Sequence, residues 1–262
     1  MSILIAISLI PQDPIDHLQV TFLSVGEADS TVLNAQGNTF VLDCGKDNSI
    51  TADFLTGHGA KVSGIFITHA DADHYGGGKD ILRRYRDAVV YLPVSWTQMN
   101  IGDDLYAMLE GRSIVYLQAG ETVTLSEDVY AEVLWPPADF SIKDDNSGSL
   151  ILHVVYNDYS LLMMSDLSDR YDTFACVESD LIKIAHHGSK NATSADMLNT
   201  VAPHIAVISV GSNGYGHPAS ETLQRLEAIN AEIYRTDELG AITIDIFEDG
   251  STAISTVLIA EE

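Results

Sequence analysis

Two β-sheets packed face to face, with helices on their outer surfaces, form the fold that the sequence predicts: a mixed α/β (α+β) protein. Three observations lead there. The first part of the chain is a series of short apolar or β-branched runs bounded by Gly, Asn or Asp, the signature of hairpin-linked strands. The second half alternates such strands with helical stretches. Hydrophobic residues make up 46% of the 262 and charged residues 19%, the balance of a globular chain that buries a sizeable core without disulfides. Strand runs followed by strand–helix alternation suit layered sheets that bury their apolar faces against each other and against helices.

The elements follow in order. Ser2 to Ile10 is apolar but too short to span a bilayer, has no Lys or Arg before it and no small-residue cleavage site after it, and reads as a first strand or a buried N-terminal arm. Strands are predicted at Leu18 to Val25, Ser30 to Asn34, Thr39 to Asp43 and Gly64 to Thr68. A helix follows at Gly76 to Tyr85, with apolar residues on one side and Arg on the other, and then a strand at Val89 to Leu92. The stretch from Ser95 to Glu127 shows little pattern beyond a helix near Leu105. Strands at Tyr130 to Trp135, Ser149 to Tyr156 and Ser160 to Met164 come next, with Asn157-Asp158 as a tight hairpin turn. The remainder reads as a strand at Leu181 to Ala185, a helix at Ser194 to Thr200, a strand at Ile205 to Val210, a helix at Glu221 to Ile229, and strands at Glu232 to Tyr234, Ala241 to Phe247 and Thr252 to Leu258. No linker, low-complexity tract or repeat divides the chain, so residues 1–262 are expected to form a single domain, with 1–17 as an arm or extra strand.

The charge balance limits the partners. There are 38 acidic against 13 basic residues, a net charge of −25. Such a surface repels polyanions at long range. The densest basic cluster, Arg83, Arg84 and Arg86, reads as the polar face of a helix rather than as a nucleic-acid patch. An extended duplex DNA footprint is therefore not expected; a small phosphorylated substrate drawn to bound cations is compatible. The two cysteines, Cys44 and Cys176, lack zinc-finger spacing and read as buried free thiols. No stretch approaches transmembrane length, which makes the cytoplasm the expected location.

Four motifs carry chemistry. The strongest is Thr68-His69-Ala70-Asp71-Ala72-Asp73-His74-Tyr75-Gly76-Gly77-Gly78, which places four potential metal ligands within six residues, between an apolar strand and a Gly-rich helix entry. Asp73 is able to cap that helix, but a cap needs one carboxylate and this loop offers two, with two imidazoles. Imidazole and carboxylate without thiolate suit Zn, Mn or Fe in a catalytic site that keeps water. The second motif is Lys183-Ile184-Ala185-His186-His187-Gly188-Ser189-Lys190, where a short apolar strand ends in paired histidines. The third, Leu161-Leu162-Met163-Met164-Ser165-Asp166, ends a strand on an Asp that suits either turn chemistry or a carboxylate bridging two metals. The fourth, Tyr215-Gly216-His217-Pro218, precedes a helix that Pro218 is able to open. His217 there reads either as a surface residue of a helix-entry turn or as a group that contacts substrate or protonates a leaving group.

In this order the four motifs resemble the metallo-β-lactamase superfamily, and within it the soluble hydrolase domain of ComEC-type DNA-uptake proteins. That group shows F-L-D-V-G-Q-G-D, a metal loop, a strand ending in G-D, then H-H-G-S and G-H-P. Here they stand as Phe22 to Asp29, His69 to His74, Ser165-Asp166, His186 to Ser189 and Gly216-His217-Pro218, and Tyr234 to Ile242 is also similar, so the resemblance covers roughly residues 18 to 245. It implies a four-layer αββα sandwich with two divalent ions, zinc or manganese, at one edge. It implies His69 and Asp71 on one ion, Asp73, His74 and His186 on the other, and Asp166 between them, with His187 behind the ligands or on substrate; which of His186 and His187 is the ligand stays open.

The chain also departs from the group. Asp71 replaces a histidine, which makes one site richer in oxygen and favours manganese beside zinc. The histidine often found between the metal loop and the bridging Asp has no clear counterpart; Asn146 stands in the similar element, and His153 sits inside a strand. Ser24 replaces an Asp, and the group's transmembrane channel is absent.

The resemblance points to a phosphodiesterase or nuclease-like hydrolase acting on a small phosphodiester or a nucleic-acid end. In that reading Asp73 or Asp166 orients a metal-activated hydroxide, His217 serves as proton donor, and His187, Ser189, Lys190 and Asn146 hold substrate. Hydrolysis of a carboxylic ester, thioester or lactam at the same centre, and a non-catalytic metal-stabilised binding module, are the alternatives.

Overall fold

The computed structural model describes residues 15–257 except 47 and 100. The apolar stretch from Ser2 to Ile10, and the end of the last predicted strand at Leu258, lie outside the described residues. In chain order the elements are β1 (Leu18–Phe22), β2 (Thr31–Ala35), β3 (Asn38–Leu42), α1 (Ile50–Gly57), β4 (Val62–Phe66), α2 (Ala72–Tyr75), α3 (Gly78–Arg84), β5 (Val89–Pro93), α4 (Asp103–Leu109), β6 (Ile114–Leu117), β7 (Thr122–Thr124) and β8 (Val129–Trp135). Then come β9 (Ile151–Tyr156), β10 (Tyr159–Met163), β11 (Leu181–Lys183), α5 (Ala195–Val201), β12 (Ile205–Ile208), α6 (Ser220–Ala228), β13 (Glu232–Arg235), α7 (Thr236–Leu239), β14 (Ala241–Ile246) and β15 (Thr252–Val257).

The strands form two sheets. One has eight strands in the order β15-β14-β1-β2-β3-β4-β5-β6, the other seven in the order β13-β12-β11-β10-β9-β8-β7. Each sheet changes character along its width. Neighbours from β15 to β3, and from β7 to β10, run antiparallel, as short hairpin connections allow. Neighbours from β3 to β6, and from β10 to β13, run parallel.

Alternating burial explains the layers. Leu18, Val20 and Phe22 of β1 face Leu150, Leu152 and Val154 of the other sheet in a shared central core. The outer face of the eight-stranded sheet packs Val41, Ile65 and Val90 against Leu55 of α1, Ile81 of α3 and Leu105 of α4. The outer face of the seven-stranded sheet packs Ile182 and Ala206 against Leu198 of α5 and Leu226 of α6. The expected αββα sandwich is the observed one. A fully buried ring such as Phe22 or Phe66 stabilises the packing by roughly 1.5–3 kcal/mol relative to exposure.

Five elements, α1, α2, β6, β7 and α7, come in addition to those the sequence predicts. Among the described residues no helix is long and apolar enough to cross a membrane. Cys44 is buried as expected, whereas Cys176 is half-exposed; both thiols are free.

Candidate metal centre

The parallel strands of both sheets end at one edge, and the loops that leave them carry the reactive side chains, as open α/β sheets generally arrange. The loop after β4 brings His69, Asp71, Asp73 and His74; the turn after β10 brings Asp166; the turn after β11 brings His186 and His187; the loop after β12 brings His217. Four non-glycine residues here hold positive φ: Asp43 (60°), Ser165 (45°), His186 (50°) and His187 (51°). Backbone strain of this kind persists where the surroundings over-determine it and collects at functional sites.

The loop after β4 is pinned from behind. Gly77 N donates to Gly45 O at 3.0 Å, and Cys44 N donates to His74 O at 2.6 Å. A Cβ on Gly77 would stand 2.2 Å from Cys44 O. Gly77→Ala is therefore expected to push the loop off the β3 end, destabilising the protein by more than about 3 kcal/mol in urea unfolding, well above the ordinary helix-propensity difference between the two residues. Asp71, not Asp73, occupies the N-cap position of α2, and its side chain makes no cap bond.

The tautomers follow from the hydrogen bonds. Asp43 accepts from Thr68 N (2.8 Å), Thr68 Oγ1 (2.8 Å) and His74 Nδ1 (2.7 Å), all buried. Thr68 Oγ1, whose proton goes to Asp43, accepts from His69 Nδ1 at 3.1 Å. His187 Nδ1 donates to Ser209 O at 2.8 Å. All three imidazoles thus commit Nδ1–H to the protein and turn Nε2 toward the cluster. There each Nε2 confronts a carboxylate oxygen: His69 against Asp71 Oδ2 at 3.4 Å, His74 against Asp166 Oδ1 at 3.4 Å and His187 against Asp73 Oδ2 at 3.3 Å. His69 Nε2, His74 Nε2 and Asp166 Oδ1 are buried without a hydrogen-bond partner.

Buried lone pairs facing each other, as at His74 Nε2 and Asp166 Oδ1, need a cation between them, either a proton or a metal ion. The ionisation of the cluster expresses the same demand. Burial disfavours charge on His74, but Asp166 and Asp43 outweigh it and hold its pKa well above the usual histidine range. Burial likewise opposes charge on His187, and Asp29 with Asp73 raises it to about 9. Asp73 is brought down to about 2 by its His187 bond and the His74 charge, against burial. Asp166 lies well below its ordinary value, because His74, His187 and His69 overcome desolvation. The donor atoms of His69, His74 and Asp166 lie within 4.8 Å of one another, as do those of Asp73, His74 and His187. The residues present therefore fit bound divalent metal.

Of the two histidines between which the sequence leaves the choice open, the structure places His187 beside Asp73 and His74. His186 is turned outward, its side chain 37% exposed, with Nε2 3.8 Å from Asp166 Oδ2. That oxygen is also 3.9 Å from His69 Nε2, so His186 lies toward the His69 side of the cluster. The successive left-handed residues at 186 and 187 send the two rings in different directions. His217 stands beside both, with ring centroids 5.7 Å from His186 and 6.4 Å from His187, and its Nδ1 donates to Glu27 Oε1 at 3.0 Å.

Other expected residues are placed variously. Asn146 sits half-buried on a short turn before β9, and the neighbouring Asp145 is close enough to feel Asp71 and His69. Ser189 is buried, and its Oγ accepts from Asn191 N at 3.4 Å. Lys190 is exposed and close enough to Glu221, at the start of α6, to lower its pKa. His153 lies within β9 facing Glu132 at 3.2 Å, as a strand residue rather than part of the cluster. Pro218 precedes the first residue of α6, Ser220, and so does not open the helix itself. Sequence reading gave no role to Glu27, Asp29, Asp43 or Lys183, although Glu27 and Asp29 stand in the Phe22 to Asp29 motif and Lys183 opens the paired-histidine motif.

Known proteins share this design. The chain is 26% identical over 253 residues to ComE operon protein 3 of Bacillus subtilis, covering 86% of this chain and 32% of that protein. It is 26% identical over 254 residues to competence protein ComA of Neisseria gonorrhoeae, covering 92% of this chain and 34% of that one. It thus spans about a third of the length of these relatives. The metallo-beta-lactamase fold protein YhfI of Bacillus subtilis superposes with a TM-score of 0.61 at 9% identity, over 87% of this chain and 99% of that one. The metallo-beta-lactamase superfamily profile matches residues 23–212, a span that contains all of the cluster from Glu27 to His187, and the chain belongs to that superfamily of metal-dependent hydrolases.

Proposed function

We propose that the protein is a metal-dependent phosphodiesterase that holds two divalent ions, zinc or manganese, between His69 and Asp71 on one side and Asp73, His74 and His187 on the other, with Asp166 shared. The observation that carries this reading is the three imidazole Nε2 atoms, each aimed at a carboxylate oxygen across 3.3–3.4 Å, with buried Asp166 between two of them. Such ions, when bound, activate water as a nucleophile and polarise a phosphoryl oxygen.

The chain's own groups do the rest. Asp73 or Asp166 would orient the attacking water. His186 and His217 form the accessible rim beside the shared carboxylate. Glu27 holds His217 by Nδ1, so Nε2 is the ring nitrogen left for a substrate contact. Glu27 is itself fixed, since its Oε2 accepts from Gly211 N at 3.0 Å. The similarity to competence proteins favours a phosphodiester over a carbon ester. The net charge of −25 favours a small diester or a strand end over an extended duplex.

The test is hydrolysis of bis(p-nitrophenyl) phosphate by metal-stripped protein re-supplied with Mn or Zn. Turnover is expected to appear only with metal. Folded protein that turns over nothing with either metal would sink the phosphodiesterase reading.

A further inference from the structure

Beneath the metal centre lies an ion pair that the proposed chemistry does not use. Lys183, the last residue of β11, is 3% exposed, and its Nζ contacts Asp29 Oδ2, 2% exposed, on the loop between β1 and β2. Among the described residues it is the Lys or Arg ion pair with both side chains buried; in the others each partner is at least 22% exposed. It joins the two sheets across 154 residues of sequence.

Its position relative to the histidines is specific. Asp29 Oδ1 is 3.7 Å from His187 Nδ1, and Asp29 Oδ2 is 3.9 Å from His74 Nδ1. The carboxylate therefore sits between the rear edges of two imidazoles whose front edges face the cluster. One of them, His74, follows β4 of the first sheet; the other, His187, follows β11 of the second. Asp29 N also donates to Asp73 O at 3.1 Å, and Asp29 O accepts from Gly45 N at 2.8 Å, so the residue is tied to the metal loop by its backbone as well. The space around the pair, shared with Asp43, Thr68 and Ser165, measures about 10 Å³. That is room for one water at most, so neither side chain reaches a substrate.

We infer that Lys183 and Asp29 form a clamp between the sheets that sets the spacing of Asp73 and His74 against His187, and so determines metal affinity rather than the stability of the fold. The inference rests on the metal reading of the cluster. The physical argument comes from opposing energies. A buried ion pair recovers little more than its own desolvation cost, so replacing both partners with apolar side chains of similar shape is commonly neutral for stability. Orientation of metal-facing histidines is different: losing a group that fixes them weakens metal binding by about 10- to 100-fold.

The test is the double variant Asp29→Leu/Lys183→Met, which keeps the number of side-chain heavy atoms at 29 and removes both charges. Its metal-free melting temperature and its affinity for Mn and Zn by calorimetric titration are compared with those of the parent protein. The expected result is a melting temperature close to the parent's with metal affinity at least about tenfold weaker. A folded double variant that binds metal as the parent does would overturn the clamp. So would a double variant that fails to fold, because the pair would then carry the fold itself. A parent protein that binds neither metal would instead remove the metal reading, which the titration of the parent shows by itself.

Discussion

Asp166→Ala is expected to lower kcat/KM for a phosphodiester by upwards of about 10³-fold while leaving the protein folded. The carboxylate faces His74 Nε2 through Oδ1 and both His69 Nε2 and His186 Nε2 through Oδ2, so it is the group common to both halves of the cluster. Removing a residue that merely supports a ligand costs about 10- to 100-fold in affinity or activity. A shared ligand should cost more, because both ions lose it at once. The fold should tolerate the change: Asp166 Oδ1 makes no hydrogen bond, and the truncation leaves no buried donor newly unpaired on that side. Turnover, urea unfolding and metal stoichiometry measured together check this. Asp73→Ala is the comparison, since Asp73 lies with His74 and His187 on one side of the cluster only; it is expected to lose one ion while Asp166→Ala loses both. Equal stoichiometry in the two variants would show that Asp166 is not shared.

Asp43→Ala is expected to destabilise the metal-free protein by about 3–5 kcal/mol, the usual cost of breaking a buried pair by removing one partner. Its carboxylate receives Thr68 N, Thr68 Oγ1 and His74 Nδ1, and all three donors would be left inside the protein without a partner. Asp43→Asn separates two effects. The amide keeps one acceptor and much of the shape, so stability should fall less. Its NH₂ must then face one of the donors. Facing His74, it would pull the imidazole into the other tautomer and place the proton on Nε2, the atom turned to the cluster. Metal affinity is therefore expected to fall at least tenfold in Asp43→Asn even where unfolding shows a modest loss. Titration calorimetry beside urea unfolding reads both quantities. An Asn variant that binds metal as tightly as the parent would mean that the Asp43 contact does not set the tautomer.

Much of this architecture could be read from local pattern. Strands β1 to β5 and β8 to β12 announce themselves by β-branched or apolar runs closed by Gly, Asn or Asp, and their observed bounds differ from the expected ones by a residue or a few. The stretch that stayed unreadable, around β6 and β7, lies at the two sheet edges. Edge strands bury little: Val115 and Tyr116 of β6 are 40% and 46% exposed, so no apolar alternation marks them. Helix α1 escaped notice because it is short and rests its few buried residues, Thr51, Ala52 and Leu55, on the sheet without a strong stripe.

The site divides in the same way. His69, Asp71, Asp73 and His74 are legible because four donors crowd one loop, and Asp166, His186, His187 and His217 because each ends or follows an apolar strand. Residue type and spacing settle which side chains are chemically able to bind metal. Which atom faces which was decided elsewhere. The left-handed backbone at 186 and 187 turned His187 inward and His186 outward, and no property of a His-His pair predicts that. Asp43, Glu27, Asp29 and Lys183 acquire meaning only once the chain is folded, because their partners lie 31, 190 and 154 residues away. Local sequence determines elements and donor chemistry, since both depend on neighbouring residues. Tautomer, pairing and the spacing of the two half-sites depend on contacts between residues distant in sequence, within and between the sheets, and packing alone supplies those.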